Sequence, residues 1–482
     1  MKRHSMVIAL TLFFFFAPLC AGSLRAADQP KDGLITFWIK EALRTDPRID
    51  DAGIEVSVDS GIVHLAGQVP DLAARKYADL EAKKVTGVRG VINEIIVFVP
   101  TRSDTDIARD LKRAFLYSSD IRLRDTGVQV KDGRVTLAGQ MDSWSHVDEA
   151  ELIATELRGV KAVKNDLKVV SMKTRPDEEI RQDVIDAFGR DVYLLGRLLD
   201  VRVHQGVVTL TGKVATPYQK ERATLDCLCV VNVKEVKNYL DIGVAGDMGV
   251  RKKASAPSDE ELGKSVRAEL YQDLRVVGPH EIDVEPTSGH VVLRGTVPSF
   301  SQKRLATRDA QEVVGVIWVN NLLSVDTEWR EDENLREDIQ FALGSDSTLA
   351  GWDIKIRVIQ SVVTLSGDVK SPHQKEHATE VASRILGVRD VLNHLEVSRL
   401  DKYSDTALEE RLRSRLKADW ETHSVADQID IKAKSGVATL SGEVNTWSEY
   451  REAARAASLT DGVWEVVNRL RVVGVDYPWI RY

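Results

Sequence analysis

The sequence predicts an α+β fold in which six tandem small two-layer αββαβ sandwiches follow one another like beads on a chain. A strand pattern that first reads "GIVHLAGQV", from Gly61, returns five more times. A second pattern, first seen as "GVRGVINEI" from Gly87, lies 26 residues after the start of every copy. The segments before and between these patterns have helical periodicity. Constant spacing in all copies indicates one structural unit repeated along the chain.

The repeated strand starts at residues 61, 133, 206, 289, 361 and 436, so successive copies are 72, 73, 83, 72 and 75 residues apart. Its alternation of apolar and polar residues predicts a half-buried strand. Its glycines are predicted to be structural, and they are Gly61, Gly67, Gly133, Gly139, Gly206, Gly212, Gly289, Gly295, Gly367, Gly436 and Gly442. Ser361 replaces the first glycine of the fifth copy, and we expect it to strain that hairpin.

A first helix is predicted before each repeated strand. Large apolar residues stand at i, i+4 and i+8, as in Ile35, Ile39 and Leu43, and form one buried stripe. A short alternating strand follows, such as Ile54–Val58, and the turn "DSG" joins it to the repeated strand as a hairpin.

A second helix is predicted between the two patterns. Small residues lie four positions apart in every copy, as at Ala78 and Ala82, which places them on one helix face. Capping residues such as Ser143 mark the helix starts, and the glycine of the second pattern suits the residue after a helix end. A third strand then begins at Val88. Two amphipathic helices require one sheet face to cover, which predicts a two-layer sandwich with a right-handed crossover.

The predicted units occupy residues 32–100, 104–172, 177–243, 258–326, 331–398 and 403–473. Residues 244–257 are rich in Gly, Ala, Ser and Lys, and predict a flexible linker between the third and fourth units. Residues 474–482 form a short aromatic tail.

The N-terminus predicts export. Lys2 and Arg3 precede an apolar run from Met6 to Leu19, and small residues follow, which is typical of a signal peptide over residues 1–27. The run is shorter than the roughly 20 residues that span a bilayer. A retained anchor and lipidation at Cys20 stay as alternatives, although Leu19 is bulky for the second.

Charge and cysteine content limit the function classes. Cleavage of residues 1–27 would move the net charge from −8 to about −11, and such an acidic chain lacks the electropositive footprint of a nucleic-acid binder. Cys227 and Cys229 alone cannot form a disulfide scaffold, so packed cores must supply stability. Cys227 stands at a small-residue position and is predicted buried, whereas Cys229 is predicted exposed.

The two patterns, Gly-x-Val-x-Leu-x-Gly-x-Val and then Gly-Val-x-x-Val-x-Asn-x-Leu, resemble the BON domain family from about residue 32 to 473. Departures are Ser361, Asn232 in place of the second-pattern glycine, and Met141 in place of the last valine. The resemblance implies an αββαβ fold, residence in the periplasm or envelope, and non-enzymatic binding of phospholipid. It also implies chaperone-like roles in some members, and neither shared catalytic residues nor a cofactor. The matching asparagines, which look structural, are Asn93, Asn165, Asn238, Asn321, Asn393 and Asn468.

The strongest candidate for chemistry is "HQKEH", from His373 to His377. His-x-x-Glu-His on a helix can bind zinc, with Glu376 as the base. The same positions hold ordinary outward residues in other copies, such as Ser145 and Glu149, so we expect no catalysis and at most weak metal binding by His373 and His377. A zinc enzyme centred on His373, Glu376 and His377 would require stoichiometric zinc, so metal analysis of the purified protein tests this alternative.

Register comparison also marks aromatic residues on surfaces. Phe37 and Trp38 replace Arg109 and Asp110 of the second copy, outside the stripe that fills their own unit's core. We expect them to contact a membrane, a partner or a neighbouring unit. The full set of predicted contact residues is Phe37, Trp38, Ile317, Trp318, Trp464, Tyr477, Trp479 and Tyr482.

These observations favour a periplasmic, non-enzymatic envelope protein that binds a phospholipid membrane surface or envelope proteins through several weak contacts. Envelope maintenance or stress protection, including osmotic stress, is the expected role. A periplasmic chaperone or scaffold for other proteins is the alternative.

Overall fold

The computed structural model describes residues 30–473, apart from residues 50–52, 100–101, 122–123, 171–174, 195–196, 198, 244–256, 274–275, 277–281 and 398–402. The predicted signal peptide, the aromatic tail with Tyr477, Trp479 and Tyr482, and nearly all of the predicted linker lie outside the described residues.

The described residues form six units of the same element order. Unit 1 comprises α1 (Asp32–Thr45), β1 (Ile54–Asp59), β2 (Ile62–Val69), α2 (Leu72–Lys84), β3 (Gly90–Asn93) and β4 (Ile96–Val97). Unit 2 comprises α3 (Asp104–Tyr117), β5 (Arg124–Lys131), β6 (Arg134–Met141), α4 (Trp144–Glu156) and β7 (Ala162–Val169). Unit 3 comprises α5 (Asp177–Arg190), β8 (Leu199–His204), β9 (Val207–Val214), α6 (Pro217–Cys229) and β10 (Glu235–Ile242).

Units 4 to 6 repeat this order. Unit 4 comprises α7 (Asp259–Gln272), β11 (Ile282–Thr287), β12 (His290–Val297), α8 (Phe300–Glu312), β13 (Trp318–Asn321) and β14 (Ser324–Val325). Unit 5 comprises α9 (Asp332–Ser345), β15 (Lys355–Ile359), β16 (Val362–Val369), α10 (Pro372–Ser383) and β17 (Asp390–Val397). Unit 6 comprises α11 (Asp405–Ala418), β18 (Asp430–Lys434), β19 (Val437–Val444), α12 (Trp447–Ser458) and β20 (Glu465–Val472).

The predicted αββαβ fold is confirmed in every unit. The repeated strand lies in the centre of its sheet, antiparallel to the strand before it and parallel to the strand after it. In unit 3, Val201 pairs with Leu210, and Val208 pairs with Val236. Both helices of a unit pack on one face of the sheet, and the other face carries half-buried and exposed residues.

The small residues of the second helices face the unit cores, as predicted. All twelve have no exposed surface: Ala78, Ala82, Ala150, Ala154, Ala223, Cys227, Ala306, Ala310, Ala378, Ala382, Ala453 and Ala457. Units 3, 4 and 5 have separate cores, whereas the cores of units 1 and 2 are continuous.

A carboxylate at the start of each first helix holds the hairpin of the same unit. In unit 3, the two carboxylate oxygens of Asp177 accept the backbone N–H groups of Gln205 at 2.8 Å and Gly206 at 3.0 Å. Gln205 and Gly206 both have positive φ, so this turn presents both N–H groups to one acceptor. The equivalent acceptors are Asp32, Asp104, Asp259, Asp332 and Asp405.

The repeated asparagine joins the third strand to the second helix. The Asn238 side-chain amide donates to the Lys220 carbonyl at 2.7 Å, and its side-chain oxygen accepts the Leu240 N–H at 3.0 Å. The equivalent asparagines bond in the same way, and they are Asn93, Asn165, Asn321, Asn393 and Asn468.

The units also pack on one another, which the sequence analysis did not predict. Units 1 and 6, units 2 and 5, and units 3 and 4 form pairs, each joined where helices end. The bridges join Val85 to Asp419, Ser118 to Ile385, Leu157 to Asp346, and Asp191 to Val313. Beads on a chain therefore describes the order of the units but not their packing.

The pair of units 2 and 5 shows the reciprocity of these contacts. Ser119 N–H donates to Arg384 C=O at 2.7 Å, and Leu386 N–H donates back to Tyr117 C=O at 2.8 Å. On the other side, Arg158 N–H donates to Ser345 C=O and Ser347 N–H to Glu156 C=O, both at 2.8 Å. Equivalent segments thus exchange equivalent bonds, as an approximate two-fold axis requires.

Buried ion pairs accompany the pairing of units 1 and 6. The Arg415 guanidinium, 4% exposed, donates to Thr45 Oγ1 at 2.8 Å and to Glu81 at 2.7 Å. Within units 1 to 3, the second helices α2, α4 and α6 contact one another, so the outer faces of these helices are covered as well.

We expect Ser361→Gly to stabilise the chain. Ser361 has φ of 63° at a position where the other five copies have glycine, and a left-handed conformation costs a residue with a Cβ about 1 kcal/mol. Thermal unfolding should shift upward. Gly133→Ser, the reverse change in unit 2, should shift it downward, and equal shifts in the two variants would contradict the account.

We expect Arg415→Ala to weaken the contact between units 1 and 6, because it removes the buried guanidinium that bonds to Thr45 and Glu81 across that contact. The Thr86 and Trp420 N–H groups donate to carbonyls of the paired unit, so their hydrogen exchange should accelerate. Arg471→Ala removes an exposed pair with Glu443 and serves as the control. Unchanged exchange at both amides in Arg415→Ala would show that the ion pair does not support the contact.

Candidate functional site

The open sheet face of a unit is the face opposite its two helices. In unit 2 the residues of this face on the third strand include Lys164, Asp166 and Lys168, all exposed. In unit 3, Lys237 and Asp241 flank Tyr239, which is 63% exposed. These faces of units 2 and 3 are therefore mostly charged, with Tyr239 as an exposed aromatic residue.

Unit 1 carries an apolar stripe on its open sheet face, with the exposed Glu94 within it. This stripe consists of Ile92, Ile96 and Phe98, which are 44%, 61% and 72% exposed. Ile92 lies beside His64, and Ile96 lies beside Gln68 on the central strand. The positions of Ile92 and Ile96 correspond to Lys164 and Lys168 of unit 2, so comparison of the repeats contained the signal. Ile92, Ile96 and Phe98 are nevertheless absent from the predicted set of contact residues.

Unit 4 presents a second apolar group on its open face. Trp318 is 62% exposed and pairs with His290 on the central strand, and Leu322 is 47% exposed. Ile317, the neighbouring predicted contact residue, is half-buried and packs against the core of unit 6. The structure therefore separates Ile317 and Trp318 into an inward and an outward residue.

Phe37 and Trp38 lie on different surfaces. Phe37 is 52% exposed, and Leu34 is exposed one turn away on α1. Trp38 is only 8% exposed and contacts the His423 ring of unit 6 at 5.4 Å. Of the contacts predicted for Trp38, the structure shows the one with a neighbouring unit, because α1 packs against α11, and the membrane or external-partner contact is corrected.

Trp464 covers the hairpin of unit 6. Its indole N–H donates to the Ser435 carbonyl at 2.6 Å, and its ring lies where a Cβ at Gly436 would be placed. Trp464 keeps 40% of its surface exposed. The side chains of Arg89 and Lys161 occupy the same position over their own hairpins, so Trp464 has a structural contact and an exposed edge.

The two histidines of "HQKEH" lie at a contact between units. They do point away from the core of unit 5, but that face of α10 is covered: His377 is 3% exposed, and His373 is half-buried with its ring 6.1 Å from Tyr77 of unit 1. The prediction of outward, uncovered positions is therefore corrected for both residues. Glu376 points elsewhere, to Arg304 of unit 4 at 2.7 Å, so the three side chains do not converge.

His377 belongs to a buried charge cluster. Its Nε2 lies 2.8 Å from Asp346, and its Nδ1 lies 3.7 Å from Glu380. Burial alone would lower the pKa of His377, but the charges of Asp346 and Glu156 and these hydrogen bonds raise that pKa well above its ordinary value. His373, stacked 5.7 Å away, has its pKa lowered to about 4 by burial and by His377.

Glu156, Asp346 and His377 bring three ligand atoms within 4.8 Å of one another. Carboxylate and imidazole donors suit zinc. Arg384, however, donates to Glu156 at 2.6 Å and already places a cation in the cluster. His377 therefore acts as one charge of an ion-pair network between units 2 and 5.

Cys229, the last residue of α6, is half-buried rather than exposed. Cys227 is fully buried, and burial raises the pKa of its thiol well above the ordinary range. Among the helices of the described residues, none combines the length and the apolar character that crossing a bilayer requires.

The BON domain model matches six segments of the chain, at residues 31–97, 103–171, 176–244, 258–327, 331–399 and 404–474. The chain is 35% identical over 144 residues to osmotically-inducible protein Y of Escherichia coli (strain K12), covering 28% of this chain and 72% of that protein. It is 30% identical over 181 residues to outer membrane lipoprotein DolP of Haemophilus influenzae, covering 34% of this chain and 93% of that protein.

Similarity also extends to the 21 kDa hemolysin of Actinobacillus pleuropneumoniae, with 28% identity over 152 residues that cover 30% of this chain and 76% of that protein. Among solved structures, the C-terminal domain of CdsD from the type III secretion system of Chlamydia trachomatis matches with 16% identity and a TM-score of 0.13. That match covers 47% of this chain and 100% of the solved chain.

We expect His377→Gln to lower the free energy of unfolding by about 3 kcal/mol below pH 6.5, because the variant breaks a buried ion pair. A raised histidine pKa contributes stability that is complete below the unfolded pKa and is lost as pH rises through the folded pKa. The difference between the variant and the natural protein should therefore shrink as pH increases above 6.5.

Urea denaturation at a series of pH values measures this difference. His394→Gln, at an exposed histidine of the same unit, is the control and should show little effect. A deficit for His377→Gln that grows with pH would contradict the assigned charge.

Proposed function

Because the chain belongs to the BON domain family, we propose that it is a non-enzymatic protein of the cell envelope that attaches to phospholipid surfaces. Attachment uses the outward sheet face of unit 1, assisted by exposed aromatic residues of other units. The periplasm is the proposed location, and envelope maintenance under stress is the proposed role. The names of two relatives, an osmotically inducible protein and an outer membrane lipoprotein, support this setting.

The unit 1 stripe is the observation that carries the proposal. Three large apolar side chains lie on an edge strand and are up to 72% exposed, so their transfer out of water would lower the free energy. A headgroup region accepts such side chains without a shaped partner surface. Phe37 and the edge of Trp464, 52% and 40% exposed, are proposed as further contacts.

Exposed basic residues of other units favour anionic lipid. Lys164 and Lys168 of unit 2, and Arg469 of unit 6, are exposed on third strands, although the chain as a whole is acidic. A basic side chain near an anionic surface contributes about 1 kcal/mol. Several weak contacts from one chain then combine, because the first contact holds the others close to the surface.

We expect the double variant Ile96→Ser/Phe98→Ser to bind vesicles of phosphatidylglycerol and phosphatidylethanolamine at least about tenfold more weakly, because each large apolar side chain contributes about 1.5–3 kcal/mol when buried. Co-sedimentation of the full chain at low salt measures binding. Val170→Ser is the matched control, since Val170 holds the register position of Phe98 in unit 2 and is 46% exposed.

Equal loss in the control variant would assign binding to general apolar exposure and contradict the role of the unit 1 stripe. Failure of the unaltered chain to co-sediment with these vesicles would contradict the lipid proposal. Suppression of client-protein aggregation under the same conditions would then favour the chaperone alternative.

A further inference from the structure

A single acidic residue interrupts the unit 1 stripe. Glu94 stands between Ile92 and Ile96 and is exposed on the same open sheet face. Its backbone N–H donates to the Leu65 carbonyl at 2.8 Å, so the alternation of inward and outward residues continues across the gap between β3 and β4. Alternate residues of a strand are about 7 Å apart, so Glu94 lies next to an isoleucine on either side.

No ion pair with the described residues neutralises Glu94. Among the residues that the structure describes, no side chain bonds to its carboxylate. Arg75 of α2 reaches the same strand, but its guanidinium donates to the Asn93 carbonyl at 3.0 Å. Water is therefore the solvent of this carboxylate on the open face, and removal of that water is costly.

On the neighbouring strands, His64 and Glu55 are the ionisable residues near the register of Glu94. His64 is half-buried on the central strand beside Ile92. Glu55 is exposed on β1, where it pairs with Ala66 of the central strand. Strands lie about 4.8 Å apart, so Glu55 is two strand spacings from Glu94 and outside the stripe. Glu94 is thus the acid that the stripe would carry into a headgroup region.

The fold does not require an acid at this position. The residue that follows the repeated asparagine differs in character in the other units, where it is Asp166, Tyr239, Leu322, His394 and Arg469. The same backbone therefore accepts apolar, aromatic, anionic and basic side chains here. A substitution of Glu94 should change the chemistry of the face and leave the unit folded.

The charge of Glu94 opposes the transfer of the stripe out of water. An ionised carboxylate that loses its hydration is destabilised relative to its protonated form. Protonation removes this cost, and the row of side chains from Ile92 to Phe98 then carries no charge.

We propose that Glu94 makes attachment of the unit 1 face depend on pH, because this face enters a headgroup region as the Glu94 carboxylate takes up a proton. Attachment therefore strengthens as pH falls. This inference rests on the membrane attachment proposed above and adds the residue that regulates it.

The test is co-sedimentation of the full chain with vesicles of phosphatidylglycerol and phosphatidylethanolamine at about pH 7.5 and about pH 5, at one salt concentration. We expect the unaltered chain to bind more tightly at the lower pH. Glu94→Gln should bind more tightly than the unaltered chain at the higher pH, and its ratio of affinities at the two pH values should be at least about threefold smaller.

Two variants control for other charges. Asp166→Asn removes one negative charge at the equivalent position of unit 2 and should leave the ratio unchanged, and so should His64→Gln. An unchanged ratio in Glu94→Gln, an equal decrease in Asp166→Asn, or loss of the pH dependence in His64→Gln alone would overturn the inference. An unaltered chain that binds equally at both pH values would overturn it as well, whereas a chain that binds at neither pH would contradict membrane attachment itself.

Discussion

The arrangement of the units depends on the carbonyl groups at the ends of their helices. An α-helix leaves its last four carbonyls without partners inside the helix. In the pair of units 2 and 5, the carbonyls of Tyr117 and Glu156 accept N–H groups from unit 5, and those of Ser345 and Arg384 accept N–H groups from unit 2. These bonds bury the helix ends and turn the open sheet faces outward. The unit 1 stripe lies on one of these outward faces.

Pairing about a two-fold axis also explains why the copies differ in sequence. Glu156 and Arg384 hold equivalent positions, and they form a buried ion pair at 2.6 Å across the axis. Two identical units would place two like charges at this contact, which is costly in a buried site. Complementary charges therefore select the partner, whereas backbone hydrogen bonds and apolar packing hold the pair together.

Comparison of the repeats predicted the interior of each unit well, because equivalent core positions meet equivalent surroundings. All small residues of the second helices and the αββαβ order followed from this comparison. It failed for His377, which points away from its own core but is covered by another unit, and for Trp38 it left open which surface covers the ring. An apolar pattern with a period of 3.6 or 2 residues identifies the face of a helix or strand toward its own core. It contains no information about contacts between residues hundreds of positions apart. The unit 1 stripe was accessible from the sequence, since charged residues replace Ile92 and Ile96 in unit 2.

Fixed packing changes what six copies contribute to binding. Units joined only by linkers would meet a membrane at an effective concentration set by linker length. Here contacts between units fix the sheet faces relative to one another, and faces on opposite sides cannot lie on one flat bilayer together. The packing of the units, rather than linker length, therefore decides which faces can reach one surface together. Repetition gives every unit the same kind of core and the same pairing geometry. Sequence differences at outward positions give each face its own chemistry.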